Sequence, residues 1–593
     1  MTLRHTLLAS SLALALAGLA ACGSGPQSQA AAPSTAPVAP SQAAGAAYDF
    51  DMDVFHPVVA RNGMVASEQA LASQIGLDIL RQGGNAVDAA VGMGFALAVA
   101  LPNAGNLGGG GFMVVHDAKT GKNVALDFRE VAPQGASRDM YLDAKGNVVD
   151  GKSLYTHYAV GVPGTVAGME HALKQWGTMP LARVTAPAAA LADKGFPVSE
   201  TLAKTLQQEK DNMGKWPATR AIFWRNGEPL KVGQRLVQKD LAQSIRLIGQ
   251  QGAKAFYQGS IAQKIAAETA PHAGAVTLAD LRDYRVVERT PVTGTYRGYQ
   301  IVTMPPPSSG GAHLVQILNM LEPLPLSQWG ANSAQTLHYM AESMKLAYAD
   351  RSEYLGDPDF VKIPLKGLTS KAYAASLLKT IDPNQARASK NIKPGQPQPY
   401  ESDQTTHYSV VDKAGNAVAV TYTLNTNFGS GIVAKGTGIL LNNEMDDFSA
   451  KPGVANAYGL VGGDANAVAA KKRPLSSMTP TLVLQNNKPV LVTGSPGGAR
   501  IITTVLQTVV NTIDFGMNPA EAASTPRVHH QWTPDELRIE KGLSPDAVAL
   551  LKSRGHNVVV KASMGRTQTI QLRDGMLYGY SDPRNPDGKT LGY

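Results

Sequence analysis

The sequence predicts an α+β fold in which antiparallel sheets are layered with helices. Three observations carry this. Strand-like runs come in pairs joined by short turns, helical runs come in adjacent pairs, and no strand–helix–strand alternation recurs. The 593 residues are 44% hydrophobic and 17% charged, a globular composition that can bury a large core. The formal net charge is +8, but no block of five Lys/Arg occurs. This argues for general surface charge rather than a nucleic-acid footprint.

The chain opens with a segment that does not belong to the fold. MTLRH is a short basic start, and LLASSLALALAGLA is apolar but too short to span a membrane. It ends in LAAC, and Cys22 is the only cysteine. Residues 1–22 therefore read as a lipoprotein signal peptide with Cys22 as the lipidated residue. The mature body then has no disulfide, cysteine nucleophile or thiolate metal site. Residues 23–47 are an Ala/Pro/Ser/Gln tether that holds the body off a membrane. Gly23 rather than Asp follows the cysteine, which favours the periplasm and the outer membrane of a Gram-negative bacterium.

The body begins with an amphipathic helix over 67–82, with Leu71, Ile75 and Ile79 on one face and Gly83-Gly84 as its stop. Asn85 can cap the next helix, 86–101, which is apolar all round and should be buried. A Gly-rich turn leads into a hairpin, strands 112–116 and 123–128, turning at AKTG. Residues 165–390 read as mostly helical, including 335–350, whose Leu337, Met344 and Tyr348 form a core stripe. After Thr405 comes a second hairpin, HYSVV–DKAGN–AVAVTYTLN, and later a helix over 500–514 behind a Ser-Pro-Gly-Gly turn.

Several motif matches fail on context. Gly146 to Ser153 fits GxxxxGK[ST], but it lacks the strand before it and the helix after it that a phosphate loop needs. Ser376-Leu-Leu-Lys379 and Lys119-Thr-Gly121 stand in the wrong order for a serine acyl-transferase. His529 and His530 are adjacent and point to opposite faces of a strand, so they are read as structural. No metal or cofactor is expected.

Thr405 stands where a Pro/Gln-rich segment meets an inner strand. Threonine is a weak nucleophile unless a base takes its proton, and its own α-amino group can do so if the preceding bond is cut. In the paired strand, alternation places Thr423 and Asn425 on one face. Glu444, Asp446 and Asp447 follow, then Ser476 and Ser477, then Gly497 and Gly498 before a helix. Glycine amides at a helix N-terminus can hold an oxyanion.

In this order, TTHYSVVD, TLNTNFGSGI, LLNNEMDDFSAKPG, KRPLSSMTP, TGSPGGARIITTV and the upstream DFREVAP resemble the γ-glutamyltranspeptidases, N-terminal-nucleophile hydrolases also called glutathione hydrolases. The likeness spans about residues 53–593. It implies a four-layer αββα sandwich made as a proenzyme that cuts itself at Gln404-Thr405. The large subunit would be 48–404 and the small subunit 405–593, together forming one unit. It further implies Thr405 as nucleophile, Thr423 orienting it, and the Gly497 and Gly498 amides as oxyanion hole. Arg129, Ser476 and Ser477 would take the donor's α-carboxylate; Asn425, Glu444 and Asp447 its α-ammonium. Tyr458 would belong to a lid. The partners implied are glutathione and other γ-glutamyl compounds, with water, amino acids or dipeptides as acceptors. Asp446 is read as structural, and no role follows for Arg584 or His407. Two rivals stand beside this: a related acylase acting on a glutaryl-type β-lactam or on poly-γ-glutamate, and a non-catalytic lipid-anchored binding protein.

Overall fold

The computed structural model describes residues 48–393, 405–451 and 463–593. The described residues form one compact unit. Two seven-stranded sheets organise it, and every pairing within them is antiparallel. Their strands, in chain order, are β1 (Val58–Ala60), β2 (Gly63–Ser67), β3 (Gly110–Asp117), β4 (Lys122–Phe128), β5 (Val287–Arg289), β6 (Val292–Tyr296), β7 (Tyr299–Thr303), β8 (Thr406–Asp412), β9 (Ala417–Thr423), β10 (Thr481–Gln485), β11 (Lys488–Thr493), β12 (Gln568–Arg573), β13 (Met576–Ser581) and β14 (Lys589–Gly592). One sheet runs β14-β2-β8-β9-β3-β4-β5, the other β1-β13-β12-β11-β10-β7-β6.

Side-chain alternation along β8 builds the layers. Tyr408 and Val410 pack into a core shared with the helices α1 (Ala70–Arg81), α2 (Ala86–Ala100), α3 (Leu181–Lys194) and α4 (Lys239–Gln251). Val411, with Met64, Ala66, Val114 and Ala419, faces the opposite way, onto Val302, Leu482, Val492 and Ile570 of the second sheet. The far side of that sheet carries a third core against α5 (Gly310–Leu321), α6 (Ala334–Tyr354) and α7 (Arg500–Ile513). The order is helix, sheet, sheet, helix, the four-layer αββα sandwich.

All residues of α2 are buried, as its unbroken apolar character requires, and Asn85 closes a reciprocal cap with Asp88. Each fully buried Val, Leu or Phe there contributes about 1.5–3 kcal/mol. The α1 stripe differs from expectation. Leu71 is exposed, and Ala72, Gly76, Leu77, Ile79 and Leu80 form the buried face. Gly76 packs so closely on Met93 of α2 that a methyl group there would clash, so small residues rather than the Leu71/Ile75 pair define the contact. The β6–β7 hairpin lies inside the stretch read as mostly helical and supplies one edge of the second sheet. Among the described residues no helix is long and apolar enough to cross a membrane.

Candidate active site

Thr405 stands one residue before β8, an inner strand flanked by β2 and β9. The register pairs Thr406 with Tyr422, so the next rung brings Thr405 beside Thr423, the last residue of β9. Both are buried and both line one small pocket. Its walls also hold Arg129, Asn425, Glu444, Asp447, Ser476, Ser477 and Gly498. Residues as far apart in sequence as Arg129 and Gly498 thus meet in one pocket.

Asn425 reaches the pocket by a route that strand alternation does not describe. β9 ends at Thr423, and Asn425 has φ 78, a left-handed conformation that asparagine tolerates well. Its N–H donates to Thr423 Oγ1 at 2.9 Å and its Nδ2 to the Asn443 carbonyl at 3.0 Å. Asn442 anchors the same loop, bridging Gly108 and Gly161 and accepting from the Glu444 N–H at 3.0 Å.

Arg129, just beyond β4, is wholly buried, and its partners are more than the neighbouring Glu130. The guanidinium donates to the Glu444 and Asp447 carboxylates and to the Pro474 and Leu475 carbonyls at 3.2 and 3.1 Å. Glu130 is 3.6 Å away. Burial alone would weaken the arginine's charge, but Glu444, Asp447 and Glu130 outweigh it and hold the proton. Burial pushes the Glu444 carboxyl well above the ordinary range, and Asp447 up as well, against the pull of Arg129. Glu444 Oε2 and Asp447 Oδ1 receive no hydrogen bond from a neighbouring donor. Buried acceptors of this kind call for a cationic partner.

Ser476 and Ser477 are set by the chain before the predicted cut. Ser476 N–H donates to the Pro307 carbonyl at 2.9 Å, and the Ser309 N–H donates back at 2.7 Å. Ser477 Oγ accepts from Arg351 at 2.9 Å and lies 3.1 Å from Ser309 Oγ. Arg351, on α6, is fully buried and was missed from sequence, where its helix reads only as core. Gly497 and Gly498 adopt φ 135 and φ 60, backbone that favours glycine. Their carbonyls accept from Arg500 and Ile501 as α7 begins. Gly498 lines the cavity, and Gly497 immediately precedes it in the same turn.

Other sequence candidates lie elsewhere. Asp446 turns away and accepts from Ser153 Oγ at 2.5 Å, so the serine of the rejected phosphate-loop match braces this turn. Arg584 joins a buried network with Glu540 (2.9 Å), Asp582 (3.1 Å) and, through them, Arg527. His529 is held by Thr503 and Gln531, each at 2.9 Å. Among the described residues no group of three His, Cys, Asp or Glu is placed to hold a metal. His407 is fully buried, with Nδ1 2.8 Å from Thr421 Oγ1 and Nε2 3.1 Å from Ser409 Oγ. Burial drives its pKa down to about 3. Gln404, Tyr458 and Cys22 lie outside the described residues.

Comparison with known proteins bears on this pocket. A glutathione hydrolase proenzyme of Escherichia coli K12 is 59% identical over 568 residues, covering 95% of this chain and 96% of its own. A cephalosporin acylase of Bacillus halodurans superposes with a TM-score of 0.81 at 30% identity, over 92% of this chain and 99% of that one. A γ-glutamyltranspeptidase structure from Helicobacter pylori matches at 48% identity and a TM-score of 0.54, over 55% of this chain and 93% of that one. The family model described as gamma-glutamyltranspeptidase matches residues 72–592, and with the layered fold this establishes that the chain belongs to the γ-glutamyltranspeptidase family.

Proposed function

We propose that the chain is a self-processing γ-glutamyltransferase and glutathione hydrolase in which Thr405 is the nucleophile. In the precursor, Thr405 Oγ adds to the Gln404 carbonyl, and the acyl group moves from nitrogen to oxygen. Water then cleaves the ester, leaving a Gln404 carboxylate and a free Thr405 α-amine. That amine serves as base when Thr405 Oγ attacks a γ-glutamyl amide. The Gly497 and Gly498 N–H groups stabilise the oxyanion, and Thr423 orients Oγ. The proton passes to the departing amine. Water or an amino acid or dipeptide amine then takes the γ-glutamyl group from the ester.

The observation that carries this reading is the sign pattern beside Thr405. A γ-glutamyl donor ends in a zwitterion. Its α-carboxylate fits Arg129, Ser476 and Ser477, and its α-ammonium fits Asn425, Glu444 and Asp447. Binding is then an exchange: the donor's carboxylate takes over the guanidinium, and the two protein carboxylates turn to the ammonium. A glutaryl group brings no ammonium, and it would leave Glu444 and Asp447 uncompensated. This favours γ-glutamyl donors over the glutaryl substrate of an acylase sharing the fold.

We assign residues 1–22 to a lipoprotein signal peptide, Cys22 to lipid attachment and 23–47 to the tether, which places the enzyme at a periplasmic membrane face. Tyr458 is assigned to a lid over the donor pocket.

The test is denaturing electrophoresis with N-terminal sequencing of the purified protein. Two fragments are expected, the smaller being 405–593 and beginning Thr405-Thr406-His407. Thr405→Ala stays uncut and inactive. A wild-type chain that stays whole, or a small fragment with another first residue, overturns the mechanism.

A further inference from the structure

Glu68 is a buried carboxylate that the chemistry above does not use. It follows β2, where Met64 and Ala66 point into the core between the sheets, and the same two-residue period carries Glu68 inward. Ser67 pairs with Tyr408, so Glu68 comes opposite His407, two residues from the nucleophile. Its side chain is about 1% exposed. Oε2 pairs with Arg566 Nε at 2.9 Å and accepts from Asn585 Nδ2 at 3.2 Å; the same amide donates to the Glu68 carbonyl at 3.0 Å. Burial pushes this carboxyl up, while Arg566, the Thr406 hydroxyl, Asn585 and the His407 N–H draw it down. Thr406 Oγ1 and Glu68 Oε1 are otherwise without partners.

Arg566 leads to the other half of the machinery. Its N–H donates to Ser495 Oγ at 2.8 Å, and Ser495 opens the Ser-Pro-Gly-Gly turn. Gly565 beside it is packed so tightly that an added Cβ would stand 2.8 Å from Ser495 Oγ and 2.6 Å from Thr504 Oγ1. A Cβ on Gly497 would meet Gly565 Cα at 3.6 Å. One carboxylate therefore joins the start of the nucleophile strand to the loop that backs the glycine turn.

We infer that Glu68, through Arg566, is a positioning residue that sets the distance between Thr405 Oγ and the Gly497–Gly498 amides. This rests on the reading of Thr405 as nucleophile. Removing the tie lets the two halves drift, and a misplacement of about 1 Å costs on the order of 100-fold in rate. The donor's zwitterion is held by Arg129, Glu444 and Asp447, none of which Glu68 touches. The loss therefore falls on kcat.

The experiment measures kcat and donor KM, with γ-glutamyl-p-nitroanilide as the probe, for wild type, E68Q, R566Q and the double variant. It also follows self-cleavage of each precursor with time. E68Q keeps the shape and the Asn585 contact but loses the charge, and the Arg566 side chain is 26% exposed, so R566Q attacks the tie from a tolerant end. Expected are slower self-cleavage, a kcat loss of about 10- to 100-fold in each single variant, a donor KM within about twofold, and a double variant no worse than the poorer single. Should E68Q fail to fold, R566Q alone decides by the same kcat and KM criteria. Unchanged kcat, a loss confined to KM, or losses that multiply in the double variant overturn the inference. A wild-type chain not cut before Thr405 overturns the underlying mechanism instead, so the two failures are distinct.

Discussion

His407 offers a prediction whose size follows from its surroundings. It stands two residues after Thr405, the proposed nucleophile, where a histidine invites a role as base. Its ring is fully buried, both nitrogens face hydroxyls, and a Cβ added at Gly494 would collide with it. Burial takes its pKa from 6.5 to about 3 in the folded protein. Below pH 6.5 the unfolded chain binds a proton that the folded one refuses, so stability is lost as pH falls from 6.5 toward 3. Between pH 6.5 and 4.5, with the unfolded ring already half protonated at the upper pH, that is roughly 2 kcal/mol. A body of roughly 550 residues has an unfolding entropy near 1.1 kcal/mol/K, so this amounts to about 2 °C in Tm. H407Q keeps a hydrogen-bonding side chain and removes the titration. Buried His313 and His529 add their own acid sensitivity in both proteins, so the quantity to measure is the difference. Scanning calorimetry at pH 6.5 and 4.5 should show the wild type losing about 2 °C more than H407Q. Equal losses would refute the claim that the fold holds this ring neutral.

Two further perturbations test the donor site and the anchor. R129K keeps a charge among Glu444, Asp447 and Glu130 but loses the planar fork. At about 1.5–3 kcal/mol for a hydrogen bond to a charged group, kcat/KM for the donor should fall about 10- to 150-fold. Acceptor KM should hold, and unchanged donor kinetics would remove Arg129 from the site. Cys22→Ser should move the protein from the membrane fraction to the soluble fraction on cell fractionation; an unaltered distribution refutes lipid attachment.

The chemistry was more legible in the sequence than its support. Each short motif alone is modest; it was their resemblance, taken together and in order, to the γ-glutamyltranspeptidase pattern that singled out Thr405, Thr423, Glu444, Asp447, Ser476, Ser477 and Gly498, and the fold brings these residues to one pocket. Asn425 was found for a reason the fold does not honour, since the strand ends before it and a left-handed turn carries it in. The layered architecture followed from hairpins and an all-apolar helix, yet the β6–β7 hairpin was hidden among helical signals. Arg351 and Glu68 were invisible. Their importance comes from neighbours far away in sequence, Ser477 for one and Arg566 for the other, and no local period records a contact of that kind.

The same long-range pairing explains how a chain could cut itself at the edge of its own active site and remain whole. With the proposed boundary at 404–405, β2 of the large fragment lies between β14 and β8 of the small one, and β3 pairs with β9. In the second sheet β1 pairs with β13 and β7 with β10. Backbone ladders thus cross between the fragments in both sheets, and hydrolysis before Thr405 breaks none of them. The pocket is divided in the same way: Arg129 comes from one side, with Ser309 and Arg351 behind it holding Ser477, and Thr405, Asn425, Glu444, Asp447, Ser476 and Ser477 come from the other. An inner strand fixed on both edges can therefore present a new chain end without fraying, and a Thr405 amine generated there stays in register with Thr423. In the proposed mechanism the cut would give Thr405 its base, and the interleaved sheets would keep that base in place.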